Sequence, residues 1–89
     1  MKTFHLTVST PHGNAFQGEA GMLSLRGSEG DLAILPGHIP FSTAVKAGRV
    51  KIVTGEEEEM LFETDGGFLT ASGDRATLLS GSFVPAEEE

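Results

Sequence analysis

Residues 49–64 read RVKIVTGEEEEMLFET, and the choice between helix and strand for this stretch decides the fold. Taken alone, Gly55-Glu56-Glu57-Glu58-Glu59 would favour a helix, because glutamate is among the better helix formers. It lies, however, between Val50-Lys51-Ile52-Val53 and Met60-Leu61-Phe62. Those flanks are β-branched or large and apolar, and Val50 and Ile52 stand at alternate positions, the pattern of a half-buried strand. The stretch therefore predicts strands over 49–54 and 58–64 joined by a charged hairpin end. Like charges gathered there also discourage edge-to-edge pairing.

The same rhythm runs outward in both directions. Twelve glycines and four prolines punctuate short apolar runs at intervals of roughly 8 to 12 residues, as in a sandwich or barrel. Strands are expected at 2–9, 15–19, 21–26, 32–35, 40–46, 67–72 and 75–80, and no window reads as helix. Thr10-Pro11-His12-Gly13-Asn14, Ala47-Gly48 and Gly73-Asp74 are the turn signals, and each predicts an antiparallel hairpin. Phe4, Phe16, Leu25, Ile34, Phe41, Ile52, Phe62, Phe68 and Leu78 supply one core between two packed sheets. At 89 residues there is material for one domain. It is expected over 1–84, with an acidic tail at 85–89.

Composition narrows the function. The formal charge is −7, and the six basic residues, Lys2, Arg26, Lys46, Arg49, Lys51 and Arg75, are scattered, which argues against a phosphate-tracking nucleic-acid surface. A basic protein partner is compatible with such a field. With no cysteine there is neither disulfide scaffold nor thiolate metal site. The opening MKTFHLTVSTPHG offers no apolar stretch for a signal peptide or membrane span.

Catalytic motifs are missing. No glycine run is followed by Lys and Ser or Thr to cradle phosphates, and no dinucleotide fingerprint opens a helix. The serines lack a nucleophile-elbow context. His5, His12 and His38 have no metal-ligand spacing. His5 is expected on the outer side of a strand and His12 in a turn. His38 stands in Leu35-Pro36-Gly37-His38-Ile39-Pro40, where two prolines and a glycine fix the backbone, so its ring either caps a turn or meets a partner. No catalytic, cofactor or metal site is expected.

Gly27-Ser28-Glu29-Gly30-Asp31-Leu32-Ala33-Ile34-Leu35-Pro36-Gly37-His38-Ile39-Pro40 closely resembles the signature of the amino-terminal domain of the epsilon subunits of F-type ATP synthases. Phe4-His5-Leu6, Phe16-x-Gly18, Thr43-Ala44-Val45-Lys46-x-Gly48 and Gly66-Gly67-Phe68-Leu69 agree in register. The resemblance spans residues 2 to 80, and it implies an all-β fold, a flattened sandwich of two five-stranded antiparallel sheets.

It also implies a noncatalytic central-stalk rotor subunit that couples the gamma subunit to the membrane c-ring in proton-driven ATP synthesis. Such a subunit is peripheral, on the cytoplasmic face of the bacterial inner membrane. Carried over position by position, the c-ring contact falls on Glu29, Gly30, Asp31 and His38. The gamma-subunit contact falls on Ser9, Thr10, His38, Phe41, Ser42 and Thr43. Glu29 and Asp31 would face basic polar loops of the ring, against the plainer reading of a solvated acidic turn; Phe41 is either an exposed anchor or a core residue. Many relatives continue into a carboxy-terminal helical hairpin. None is expected here, because the chain ends soon after Phe83-Val84-Pro85-Ala86, and with it go the inhibitory latch and nucleotide site. The alternative is a free-standing β-sandwich module that binds a protein or a small ligand, since fold alone does not assign function.

Overall fold

A computed structural model describes residues 2–86, the side chains of His38 and Ile39 excepted. Among these residues the chain forms nine strands: β1 (Phe4–Thr10), β2 (Gly13–Gly27), β3 (Gly30–Ile34), β4 (His38–Val45), β5 (Gly48–Thr54), β6 (Glu59–Thr64), β7 (Gly67–Gly73), β8 (Arg75–Ser80) and β9 (Phe83–Pro85). Glu87–Glu89, most of the expected acidic tail, lie outside the described residues.

The longest strand organises the rest. The first half of β2 pairs with β1, from Phe4↔Ala20 to Thr10↔Gly13. Its second half pairs with β5 on one side and β3 on the other. At the junction, Ala20 and Met22 stand opposite the consecutive residues Thr54 and Val53, so Gly21 is an extra residue. A bulge of this kind shifts the alternation by one. Phe16, Gly18 and Ala20 turn inward before it; Leu23, Leu25 and Gly27 do so after it. One strand thereby serves two layers with opposite parity. One layer is β4-β7-β8-β1 plus the start of β2, and the other is β3, the end of β2, β5, β6 and β9.

The two layers of five strands agree with the sandwich expected from the sequence. All pairings are antiparallel except β1–β8, which is parallel. The Ala47-Gly48 turn does not make the expected hairpin. Here β4 pairs with β7 and β5 with β2 and β6, because the chain crosses between layers after Val45, guided by the Lys46 amide donating to Arg26 O at 2.9 Å. Gly27 also pairs with Val45, so β1, β8, β7, β4 and β2 close into a ring.

Between the layers lies a single cluster that includes Phe4, Leu6, Val8, Leu69 and Leu78 from one side and Leu23, Leu25, Ile34, Val50, Ile52, Phe62 and Phe83 from the other. Phe16 and Phe41 pack against it partly buried. Phe68, expected in the core, is instead 46% exposed. The register pairs its neighbour Leu69 with Leu78 and Thr43, which commits Leu69 and Ala71 to the interior and sends Phe68 to the outer face.

Candidate functional surface

The signature turn closes β2 onto β3 through Gly27↔Gly30, with Ser28 and Glu29 at its tip. Gly30 sits at φ +128°, a conformation that side chains rarely adopt. The Ser28 amide donates to Ala44 O at 3.0 Å, and this bond draws the turn against β4. A cavity of about 390 Å³ results, lined by Ser28, Glu29, Gly30, Asp31 and Leu32 on one wall and Phe41, Ser42 and Thr43 on the other. Two groups of candidate residues, assigned to different contacts in the sequence, thus share one cleft. Its acids are not equivalent. Asp31 faces Arg26 at 3.6 Å with both side chains exposed, a pairing worth about 0–1 kcal/mol. Glu29 has no ionic or hydrogen-bonding partner among the described residues. Phe41 is half-buried and combines both roles weighed for it, packing on the core while lining the cleft.

Ser9 and Thr10 lie away from that cleft, across the same sheet. Residues opposite one another on neighbouring strands share a face, and the pairings give the row Ala44–Phe68–Leu79–Ser9. The next row is Ser42–Thr70–Thr77–Thr7. Neither row contains a charged residue. Phe68 and Leu79 are 46% and 54% exposed. Leu79 also walls a shallow cavity of about 340 Å³ with Ser9, Thr10, Pro11 and Ser80. Thr10 itself is a turn cap, its hydroxyl donating to Gly13 O and accepting the His12 amide. The outer face of the other layer is different in kind: it carries Arg26–Asp31, Arg49–Glu63 and Lys51–Glu59 ion pairs.

His38 opens β4, its backbone opposite Gly73; its side chain lies outside the described residues. Phe68 and Leu79 are the surface residues that sequence reasoning missed. The signal was present in the Gly73-Asp74 turn, whose register carries Phe68 opposite Leu79.

A third cluster is structural. Thr3 Oγ1 donates to Glu19 Oε1 at 2.7 Å, and His5 Nδ1 lies 3.2 Å from Glu19 Oε2. These contacts, the Thr3 hydroxyl foremost, hold the Glu19 carboxyl below the ordinary glutamate range. The Glu19 carbonyl accepts the Gly55 amide at 3.0 Å, so the cluster braces β2 just before it changes layers. No group of His, Asp and Glu among the described residues is placed to hold a metal ion.

The chain resembles known proteins along almost its whole length. The chain is 38% identical over 88 residues to the ATP synthase epsilon chain of Priestia megaterium and 37% identical over 87 to that of Bacillus subtilis. These alignments take in 99% and 98% of this chain, which spans 65% of the length of each relative. Its fold is similar to a chain in the Euglena gracilis mitochondrial ATP synthase OSCP/F1/c-ring assembly, with a TM-score of 0.89 at 19% identity over 98% of this chain and 56% of that one. A chain of the Tetrahymena thermophila mitochondrial ATP synthase central stalk and c-ring aligns with a TM-score of 0.77 at 15% identity, covering 94% and 67%. The profile of the ATP synthase Delta/Epsilon chain β-sandwich domain matches residues 3–86, and the chain belongs to that family.

Proposed function

We propose that this domain is a noncatalytic coupling element of the rotor of an F-type ATP synthase, joining the gamma subunit to the c-ring at the cytoplasmic face of a bacterial membrane. The observation that carries the proposal is the contrast between the two outer faces. One carries three ion pairs, with Val84 exposed on its edge strand; the other is uncharged along two full rows and exposes Phe68 directly beside Leu79. An adjoining apolar pair within a hydroxyl-rich surface is what a protein interface needs at its centre, with polar groups as rim.

In this reading the gamma subunit covers Phe68 and Leu79, and Ser9, Thr10, Ser42 and Thr43 lie at the margin. The Glu29 turn meets the ring. Glu29 has no partner within the described chain and is therefore available to a basic loop, whereas Asp31 would first have to release Arg26. Because the cleft contains both Glu29 and Ser42, the two partners meet side by side along it. Charge at such a joint sets register more than affinity.

The test is co-elution of the intact chain with its cognate gamma subunit at micromolar concentration. Phe68→Thr with Leu79→Thr keeps strand propensity while removing apolar surface. The pair should weaken the complex by about ten- to a hundredfold, from roughly 0.7–1.4 kcal/mol lost per half-exposed residue. Binding unchanged by both substitutions overturns the gamma assignment. Failure of the unmodified chain to co-elute returns it to the class of free-standing binding modules. On the ring side, Glu29→Lys should leave the domain folded and lower proton-coupled ATP synthesis in reconstituted membranes; full coupling removes Glu29 from the contact.

A further inference from the structure

Thr64 and Ser80 are the buried polar side chains among the described residues. Their hydroxyl oxygens are 2.6 Å apart, and Ser80 Oγ donates to Ser82 O at 2.6 Å. A serine hydroxyl has one proton, so the proton shared with Thr64 belongs to Thr64. Thr64 Oγ1 in turn accepts the Gly66 amide at 3.0 Å. A directed chain therefore runs from the Gly66 amide through Thr64 and Ser80 to the Ser82 carbonyl. In a low-dielectric interior its members polarise one another.

The same two turns are tied a second time at the surface. The Ser82 amide donates to Asp65 Oδ1 at 2.9 Å, and the Asp65 amide approaches Ser82 O at 3.4 Å. Gly81 leaves room for this carboxylate, since a Cβ there would stand 2.6 Å from Asp65 Oδ2 and push it aside. On the other side of Asp65 the chain runs straight into the ring closure. A Cβ on Gly66 would lie 2.9 Å from Val45 O, so backbone meets backbone closely. Gly67 pairs with Val45, Val45 with Gly27, and the Ser28 amide is held by Ala44 O.

We infer that Asp65 is a positioning residue: by clamping the β6–β7 turn to the β8–β9 turn it fixes, through the Gly67–Val45–Gly27 row, the attitude of the Glu29 turn. The role of that turn in docking rests on the function proposed above. The coupling does not, and it is measured without a partner. Contiguous hydrogen-bonded elements of this kind transmit coupling only where a change at one end alters the other.

The experiment is residue-resolved amide hydrogen exchange on the full chain, with global stability followed in parallel by urea unfolding. Asp65→Ala should speed exchange at Ser82 and at Ser28 by about three- to tenfold, the consequence of one lost net hydrogen bond. The Gly55 amide, bonded to Glu19 in the opposite corner, should change no more than global stability explains. Asp65→Asn keeps the acceptor oxygen and should restore the Ser28 rate. Gly81→Ala should reproduce Asp65→Ala and add nothing to it in the double variant. Faster exchange at Ser82 with Ser28 unchanged overturns the inference, as does equal acceleration at Ser28 and Gly55. Failure of the asparagine to restore the rate does so too.

Discussion

Glu57 shows where residue-level reading stops. The acidic run was legible as a hairpin end, because its flanks alternate, and β5 and β6 do pair across it. Which glutamate would bear the turn was not legible, since four identical side chains carry no positional signal. The decision comes from Thr54, whose hydroxyl accepts the Glu56 and Glu58 amides while its carbonyl accepts that of Glu57. Glu57 is left at φ 67°, a left-handed conformation that costs a residue with a Cβ about 1–2 kcal/mol. Glu57→Gly should therefore stabilise the domain by about 0.5–1 kcal/mol after the added flexibility of the unfolded glycine is counted. A higher urea midpoint at unchanged slope is the expected result. The Phe68-Leu69 pair failed for a related reason. Two large apolar neighbours in one strand fit either parity, and only the partner strands choose between them.

At the level of elements, most strands were readable to within a few residues and β2 was not. Its two halves looked like separate strands, 15–19 and 21–26, because the alternation changes phase between them. Gly21 keeps the backbone continuous while resetting that phase. Deleting Gly21 should remove the bulge and leave Leu23 and Leu25 in plain alternation with Ala20, still inward, while taking away the bend by which the strand passes from one layer to the other. We expect a lower urea midpoint from strain at that crossing; a deletion variant of unchanged stability would show that the strand passes between the layers without the extra residue. The short β9 escaped notice for a different reason. Three residues ending in proline carry little strand signal, and what holds them is tertiary, Phe83 stacked on Phe62 with ring centroids 4.6 Å apart. Among the candidate contacts, the grouping of Glu29 with Phe41 to Thr43 also needed the third dimension, because β3 and β4 belong to different layers.

For the molecule as a whole, charge and closure are the two properties that matter. A net charge of −7 opposes compaction, while the ion pairs of the charged face are exposed and contribute little each. Screening should relieve the first more than it weakens the second. The urea midpoint should rise between about 10 mM and 150 mM NaCl, over which the Debye length falls from about 30 to 8 Å; a fall would mean that the surface pairs dominate. Closure has a mechanical meaning. A tube slit along its length twists under a small load, because the cut edges slide past each other, whereas the same wall joined edge to edge resists. The Gly27–Val45 pairing, with its flanking bonds from Ser28 and Lys46, is that join. Under the rotor role proposed above, the domain would be loaded in torsion above all, and the seam that stiffens it lies directly beneath the Glu29 turn.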